Sequence, residues 1–253
     1  MGVKSSILKS FKTKDHLAPS IWDKEEDGTY TLNPKVRSTL LNVSNRFLDY
    51  TGMEELSCDI DTRECDIYDV TMTGSLANFN WSKFSDIDLH LILDFAEIDK
   101  NTELVRNYLN SKKTIWNSTH DITIDGYEVE IYSQDSRESH HSSGVYSVLY
   151  NKWIVEPSYQ HVTIDDKKLD EKATNWVDAI DRLIDRSKNI KPETTLKEIE
   201  NIKAKLKKYR SCGLESGGEY SYENLVFKVL RRNGYIKKLI DLKNKLIDSI
   251  LTI

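Results

Sequence analysis

This 253-residue sequence has few cysteines and no long apolar run, and both shortages restrict the kinds of protein it can encode. Its three cysteines, Cys58, Cys65 and Cys212, cannot all pair within one chain, and Cys58 and Cys65 lack the spacing of a zinc site. We interpret them as reduced thiols of a cytoplasmic protein. No stretch of eighteen or more apolar residues occurs and no signal-peptide pattern is present, so we expect no membrane span.

The sequence also lacks internal repeats, low-complexity tracts and any recognisable RNA-binding module. Its charge is unevenly distributed. Residues 186–253 contain 16 Lys and Arg against 8 Asp and Glu, whereas the whole chain has a net charge of −5. A basic C-terminal part beside an acidic remainder would suit a polyphosphate ligand or a nucleic-acid acceptor. Solvated helix faces with ordinary ion pairs account for most of these lysines equally well.

A Gly-Ser pair followed by two closely spaced aspartates is the most informative feature of the chain. Gly74-Ser75 is separated from Asp86 and Asp88 by a short polar loop. On a strand over residues 86–94, the two aspartates would share a face, with Cα atoms about 6.5–7 Å apart. Such carboxylates repel each other, and a divalent cation such as Mg²⁺ removes that conflict. The backbone N–H groups of the Gly-Ser turn could hold a triphosphate.

This pattern resembles the signature of the DNA polymerase beta-like nucleotidyltransferase superfamily. In that signature, a glycine followed by Gly or Ser precedes Asp, an apolar residue, and Asp or Glu, after a loop of roughly ten residues. The resemblance covers residues 66–135. It implies an α+β fold, in which a mixed twisted sheet backed by helices is followed by a C-terminal helical domain. A solvated strand edge after an ordinary turn is the alternative interpretation.

The resemblance also implies an activity. A nucleoside monophosphate would pass from a nucleoside triphosphate to an acceptor hydroxyl, with release of pyrophosphate. Asp86 and Asp88 would bind two Mg²⁺ or Mn²⁺ ions that carry the triphosphate. Gly74 and Ser75 would hold the departing phosphates.

A third metal-binding acid is implied on a neighbouring strand, and the sequence offers Glu130. Asp125-Gly126 predicts the turn of a hairpin over residues 121–134. In its second arm Glu130 lies between apolar residues, and would bind the second metal ion or accept the proton of the attacking hydroxyl. Glu128 lies on the same face one pleat away, so a shift of two residues in the strand register would make Glu128 the third acid. A solvent-facing pair of glutamates is the alternative.

Three further residues are candidates near the nucleotide. Ser143 could contact ribose or phosphate, and Tyr146 could stack on a base. The alternative is an ordinary loop leading into a helix, with Ser142 or Ser143 as its N-cap. His90 follows the strand acids at i+2 spacing, which predicts that it lies on their face beside the metal site.

The basic C-terminal part supplies candidates for the triphosphate and the acceptor. In the family a basic residue of the helical domain often contacts the triphosphate; Lys203 and Lys207, one turn apart, are candidates, with Arg231 and Arg232 as rivals. The acceptor could be RNA, such as a tRNA 3′ end. Alternatives are a small molecule, a signalling oligonucleotide, a protein, or a nucleotide-binding protein without catalysis. The sequence does not give the oligomeric state.

Periodicity divides the chain into three parts. Residues 1–33 are polar and irregular, residues 34–165 form the nucleotidyltransferase-like core, and residues 166–253 have apolar residues at helical spacing. Asn33 and Pro34 predict the start of a helix. Within the core the pattern predicts helices over 34–50 and 97–112, strands over 67–72 and 86–94, and the hairpin over 121–134.

Overall fold

The computed structural model describes residues 4–52, 67–140 and 142–252. Cys58 and Cys65 lie outside the described residues. The chain is α+β, with a twisted mixed sheet followed by C-terminal helices. It divides into two compact units: a sheet unit, Thr13–His161, and a helical unit, Met1–Lys12 together with Val162–Ile253.

The elements run in the following order. The helical unit begins with α1 (Ser5–Leu8) and a 3₁₀ turn at Lys9–Phe11. The sheet unit contains β1 (Trp22–Lys24), β2 (Tyr30–Leu32), α2 (Pro34–Thr51), β3 (Ile67–Thr73), β4 (Ile87–Leu93), α3 (Phe95–Ile98), α4 (Thr102–Thr119), β5 (Thr123–Ile124), β6 (Tyr127–Asp135), β7 (Val145–Ser147) and β8 (Lys152–Val155). The helical unit resumes with α5 (Asp166–Arg186), α6 (Pro192–Gly217), α7 (Tyr222–Arg232) and α8 (Tyr235–Leu251).

Within the described residues, six strands form the main sheet, in the order β5-β6-β4-β3-β7-β8. β4 and β6 are parallel, and the other neighbours are antiparallel. One face is apolar and fully buried, with Leu89, Leu91 and Ile131 in the same cluster as Phe47 of α2 and Trp116 of α4. Because side chains alternate along a strand, the polar residues of β4 and β6 are left on the opposite face.

Two predicted helices have different outcomes. The helix predicted over 34–50 is confirmed as α2, whose first turn is capped by the Asn33 side chain accepting from the backbone N–H of Lys35 at 3.0 Å. The helix predicted over 97–112 is confirmed for most of its length, but it is divided between α3 and α4 by a break at residues 99–101. Asp94 caps the short α3 and Asn101 caps α4, which continues to residue 119. The apolar periodicity is continuous across both helices, but each helix has its own N-cap, so the chain forms two helices here.

The helical unit is built from amphipathic helices whose apolar faces meet. Buried apolar residues of α5, α6, α7 and α8 form its interior: Leu169, Ile180, Leu183, Ile199, Leu206, Leu225, Val229, Leu230 and Leu239. Among the helices of the described chain, none is both long and apolar enough to span a membrane.

The division of the chain differs from the predicted one at its N-terminus. Residues 1–33 are predicted as one irregular segment, but their described part contributes to both units. Ile7 and Phe11 are buried where α1 and its 3₁₀ turn pack in the helical unit. β1 and β2 form an antiparallel hairpin in the sheet unit. The apolar side chains of this mostly polar segment pack into the core of the helical unit and into the core of the sheet unit.

Candidate functional site

Three predicted acids come together where β4 and β6 pair. In the parallel register Asp88 lies opposite Glu130, and Asp86 directly precedes β4. One carboxylate oxygen from each residue lies within 4.8 Å of the others, and all three residues are half-buried. Glu128, the alternative third acid, is exposed beside β5 and is not part of this cluster. Three carboxylates at this separation repel one another, so the arrangement favours a divalent cation.

The Gly74 backbone lies directly against one of these acids. Gly74 has φ +79° and ψ −162°, a region that essentially only glycine occupies. A Cβ atom at this position would lie 1.9 Å from Oδ2 of Asp88. Thr73 pairs with Asp88 across β3 and β4, which holds the two segments in register. The glycine of the motif is therefore required both by the turn and by the position of the carboxylate.

The loop between the Gly-Ser pair and the aspartates is closed by serine hydroxyls. Ser75 begins a 3₁₀ turn and its hydroxyl donates to Oγ of Ser85 at 2.7 Å. The same Oγ accepts from the backbone N–H of Ser82 at 3.0 Å. Because Ser85 immediately precedes Asp86, these bonds tie the start of the acid-bearing strand to the Gly-Ser turn.

Tyr132 is a site residue that the sequence pattern did not identify. Its hydroxyl donates to Oε2 of Glu130. Burial, followed by this hydrogen bond and the charges of the three acids, raises the pKa of the Tyr132 phenol well above its ordinary value. The phenol therefore stays protonated and remains a hydrogen-bond donor. The alternation of side chains along β6 predicts that Tyr132 and Glu130 lie on the same face. It does not predict that the two side chains form a hydrogen bond.

His90 lies one pleat beyond Asp88 on the acid-bearing face, as predicted from their i+2 spacing. Its Nε2 is 3.2 Å from Oγ1 of Thr73, and its Nδ1 is 2.9 Å from Oε1 of Gln134. The ring stacks on Tyr132 with centroids 5.2 Å apart. Burial is the main reason that the pKa of His90 lies below its ordinary value, so the imidazole is neutral near pH 7.

A small polar pocket adjoins the acidic cluster. It has a volume of about 300 Å³, and Thr73, His90, Gln134, Glu138 and Ser142 are among its lining residues. Thr73 joins the pocket to the cluster, because it pairs with Asp88. The Glu138 carboxylate forms an ion pair with Arg106. The pocket therefore presents mostly neutral hydroxyl, amide and imidazole groups beside the three carboxylates.

Tyr146 does not have the predicted position. It lies in β7, its side chain is fully buried, and its ring packs against Trp22 and Trp153 with centroids 5.0 and 4.9 Å away. A ring enclosed on these sides cannot stack on a nucleotide base, so that prediction is wrong. The loop-to-helix alternative is also wrong, because this segment enters a strand. Ser143 lies just before β7, and its hydroxyl accepts from the Asn78 side chain.

The predicted lysines belong to the helical unit. Lys203 lies on α6 with its ammonium 3.8 Å from the Glu200 carboxylate, which also pairs with Lys243 at 2.7 Å. Lys207 is exposed one turn further along α6. Of the two rival arginines, Arg232 donates from Nη1 to Oγ of Ser10 at 2.7 Å. Lys203 is thus already partnered by a carboxylate within its own unit.

The donor set of the acidic cluster is chemically selective. Three carboxylates offer hard oxygen ligands and no nitrogen or sulfur, which suits Mg²⁺ or Mn²⁺ better than zinc or copper. Comparison of the chain with models of known families, with curated proteins and with solved structures found no match. The acidic cluster and the Gly74 turn beside it are therefore the features from which a function can be inferred.

Proposed function

We propose that this chain is a metal-dependent nucleotidyltransferase similar to the DNA polymerase beta-like enzymes. It would move a nucleoside monophosphate from a nucleoside triphosphate to an acceptor hydroxyl and release pyrophosphate. The observation that carries the proposal is the meeting of Asp86, Asp88 and Glu130 within 4.8 Å, with the Gly74 backbone against Asp88. A mixed sheet that carries these acids on its polar face is consistent with such a fold.

The residues present fit a pair of divalent cations. Asp86 and Asp88 would hold the ion that carries the triphosphate, and Glu130 would complete the site of the second. When bound, two such ions supply charge neutralisation for the attacking and leaving oxygens of an in-line displacement. The protein itself would then contribute mainly positioning.

Individual side chains have distinct parts in this reaction. Tyr132 donates to one carboxylate oxygen of Glu130, which fixes that side chain and leaves the other oxygen for the site. As the acceptor oxygen bonds to the α-phosphorus, the bond from that phosphorus to the bridging oxygen of the β-phosphate breaks. The hydroxyl proton would pass to Glu130 or to water. The backbone N–H groups of Gly74 and Ser75 would hold the departing pyrophosphate.

Two features of the chain bear on the nature of the acceptor. The basic residues of the helical unit favour RNA, such as a tRNA 3′ end. The pocket beside the cluster favours a different acceptor, because its lining is mostly neutral and its volume of about 300 Å³ suits a compact hydroxyl-bearing group. A small molecule, a growing oligonucleotide or the hydroxyl side chain of a protein would satisfy that description.

The test uses each nucleoside triphosphate labelled at the α-phosphorus, with Mg²⁺ or Mn²⁺. Parallel reactions contain no acceptor, total RNA, a small-molecule extract or a protein extract. We expect label to enter one of these fractions with the wild-type chain and not with the Asp86→Asn, Asp88→Asn double variant. Transfer that is equal in the two proteins would contradict the proposal. Tight nucleotide binding without transfer would favour a nucleotide-binding protein that lacks catalysis.

A further inference from the structure

A row of three hydrogen-bonded side chains lies beside the acidic cluster, on the same face of the sheet. Thr73 of β3 lies opposite Asp88. His90 of β4 lies one pleat beyond Asp88, and Gln134 of β6 lies one pleat beyond His90. All three side chains line the polar pocket of about 300 Å³. The proposed transfer reaction gives none of them a part.

The His90 ring is held by its neighbours, and it fixes the Thr73 hydroxyl in turn. Nδ1 of His90 lies 2.9 Å from Oε1 of Gln134, whose amide nitrogen donates to the backbone carbonyl of Glu138 at 3.3 Å. The ring also stacks on Tyr132, with centroids 5.2 Å apart. Its Nε2 is 3.2 Å from Oγ1 of Thr73. A hydroxyl has one proton and two lone pairs. Whichever of these two atoms carries the shared proton, Oγ1 therefore keeps at least one lone pair for a further donor.

The lining of the pocket suits a neutral ligand better than a phosphate. Among its described lining residues there is no lysine or arginine, and the one carboxylate, Glu138, is paired with Arg106. Ser139 and Ser142, from the segment after β6, also line the pocket, and within the described residues neither hydroxyl makes a hydrogen bond. Hydroxyls that are free to donate and accept suit a hydroxyl-bearing ligand. A volume of about 300 Å³ is at the small end of ligand sites and suits one sugar ring.

The strand register places the pocket and the Gly-Ser turn on opposite sides of Asp88. The turn follows Thr73 and lies towards Asp86, because β3 and β4 are antiparallel. His90 lies about 6.5–7 Å from Asp88 in the other direction along β4. In an in-line displacement the attacking oxygen approaches from the side opposite the leaving oxygen. With the departing pyrophosphate at the turn, the attacking hydroxyl therefore comes from the side of the pocket.

We propose that this pocket binds the acceptor as a sugar, one of whose hydroxyls donates to Oγ1 of Thr73. The neighbouring hydroxyl of the ring is then directed at the acidic cluster, because the Cβ atoms of paired residues such as Thr73 and Asp88 are about 4.5–5.5 Å apart. Thr73 is thus a specificity-determining residue, and His90 positions its hydroxyl. The role of the sugar as acceptor rests on the proposed function, whereas its binding does not. The sugar is a ribose of a nucleoside or RNA end, or a hexose of a small molecule.

The test is a titration of the full chain with two sugars in the presence of Mg²⁺, with bound ligand detected by saturation-transfer NMR. Adenosine and methyl glucoside are the probes. We expect Thr73→Val, which keeps the shape of the side chain but not its hydroxyl, to weaken binding about three- to tenfold, the cost of one hydrogen bond. Thr73→Ser keeps the hydroxyl and should bind like the wild type. Binding of adenosine that depends on Thr73 would identify a ribose, and such binding of methyl glucoside alone would identify a hexose.

Thr71→Val is the matched control for Thr73→Val. Thr71 lies two residues away on the same face of β3 and is fully buried, and in the described part of the chain its hydroxyl has no hydrogen-bond partner. It is not among the residues that line the pocket, so Thr71→Val should bind like the wild type. The proposal is overturned if neither probe binds, if Thr73→Val binds as tightly as the wild type, or if Thr71→Val weakens binding as much as Thr73→Val does.

Two further measurements separate the failure of this proposal from the failure of the proposed function. Saturating α,β-methylene-ATP with Mg²⁺ should not displace the sugar; displacement would assign the pocket to the donor nucleotide and overturn the proposal. The Asp86→Asn, Asp88→Asn double variant should bind the sugar like the wild type, although it transfers no label. Sugar binding that depends on Thr73, without any label transfer by the wild type, would refute the transfer reaction and leave the sugar site. Label transfer without such binding would do the reverse.

Discussion

Asp88 of β4 and Glu130 of β6 lie directly opposite each other in the parallel part of the sheet. This pairing brings together residues that are 42 positions apart in the sequence. It also distinguishes the two glutamates of β6, because Glu128 stands one pleat away, exposed beside β5. Strand register therefore brings the three acids close together, and this short distance is the basis for the proposed chemistry.

Gly74→Ala should impair transfer while leaving most of the fold intact. The added Cβ would meet the Asp88 carboxylate at 1.9 Å, so that side chain must move away from the cluster. A displacement of this size at a reacting centre can cost about 10²-fold in rate. The measurement is the steady-state rate of label transfer from an α-labelled nucleoside triphosphate.

Gly126→Ala is the matched control for this substitution. Gly126 also has a positive φ, +81°, but a Cβ atom there meets nothing within 4 Å. Both variants carry the strain of alanine in a region suited to glycine. If they lose activity to the same extent, the effect comes from backbone strain, and the contact with Asp88 has no special role.

Tyr132→Phe should lower transfer by about 10–100-fold, the usual cost of losing a residue that orients a metal ligand. The phenol donates to Glu130, and phenylalanine keeps the ring but not that hydrogen bond. The variant should also need more Mn²⁺ for half-maximal rate. Tyr127→Phe on the same strand serves as the control, since Tyr127 lies on the other face. An unchanged requirement for Mn²⁺ in Tyr132→Phe would show that the phenol does not orient the ligand.

The sequence predicts the local part of this site well and its long-range part poorly. The i+2 spacing of Asp86 and Asp88, and the alternation that puts Tyr132 on the face of Glu130, are properties of single strands. Which residue of β6 lies opposite Asp88 depends on the register between strands that are distant in the chain. The sequence alone therefore leaves Glu128 and Glu130 as alternatives.

Tyr146 illustrates a second limit. Its neighbourhood reads as a polar loop, and nothing local indicates that it pairs with Met72 of β3 in the interior of the sheet. The enclosing tryptophans, Trp22 and Trp153, come from β1 and β8. Burial created by such long-range packing overrides the local pattern.

Tyr146→Phe should therefore leave the KM for nucleoside triphosphate unchanged. The lost bond from the phenol to Oδ1 of Asn151, at 3.0 Å, should instead reduce the free energy of unfolding by about 0.5–1.5 kcal/mol. Chemical denaturation and transfer kinetics measure the two effects separately. A raised KM at unchanged stability would mean that the residue contacts the nucleotide after all.

Asp69→Asn should stabilise the protein at neutral pH. Burial raises the pKa of the Asp69 carboxyl, although its Oδ1 accepts from Ser147 at 2.7 Å and from the backbone N–H of Val70 at 2.7 Å. Asparagine retains that acceptor oxygen without the charge. We expect the unfolding midpoint to rise by a few degrees at pH 7.

The stability gained by Asp69→Asn should depend on pH. The pKa of Asp69 is higher in the folded chain than its ordinary value of 3.8, so the folded chain holds this proton more tightly than the unfolded chain does. The free energy of unfolding of the wild type therefore falls across the window in which pH rises from 3.8 through the raised pKa. Below that window the carboxyl is protonated in both states, so the advantage of Asp69→Asn should disappear. Asp121→Asn, at an exposed position, is the control. A gain that is the same at pH 3 and pH 7 would exclude the charge of Asp69 as its cause.

The most direct measurement compares Glu130→Gln with Glu128→Gln in metal-dependent transfer from an α-labelled nucleoside triphosphate. Both substitutions remove one carboxylate from the same face of β6, two residues apart, but Glu130 lies opposite Asp88 and accepts from Tyr132, whereas Glu128 is exposed beside β5. Loss of a metal ligand should cost several kcal/mol of transition-state stabilisation, or about 10²–10⁴-fold in rate. We predict that Glu130→Gln shows this loss and Glu128→Gln retains nearly full activity. The opposite order, or full activity in both variants, would contradict the site described here.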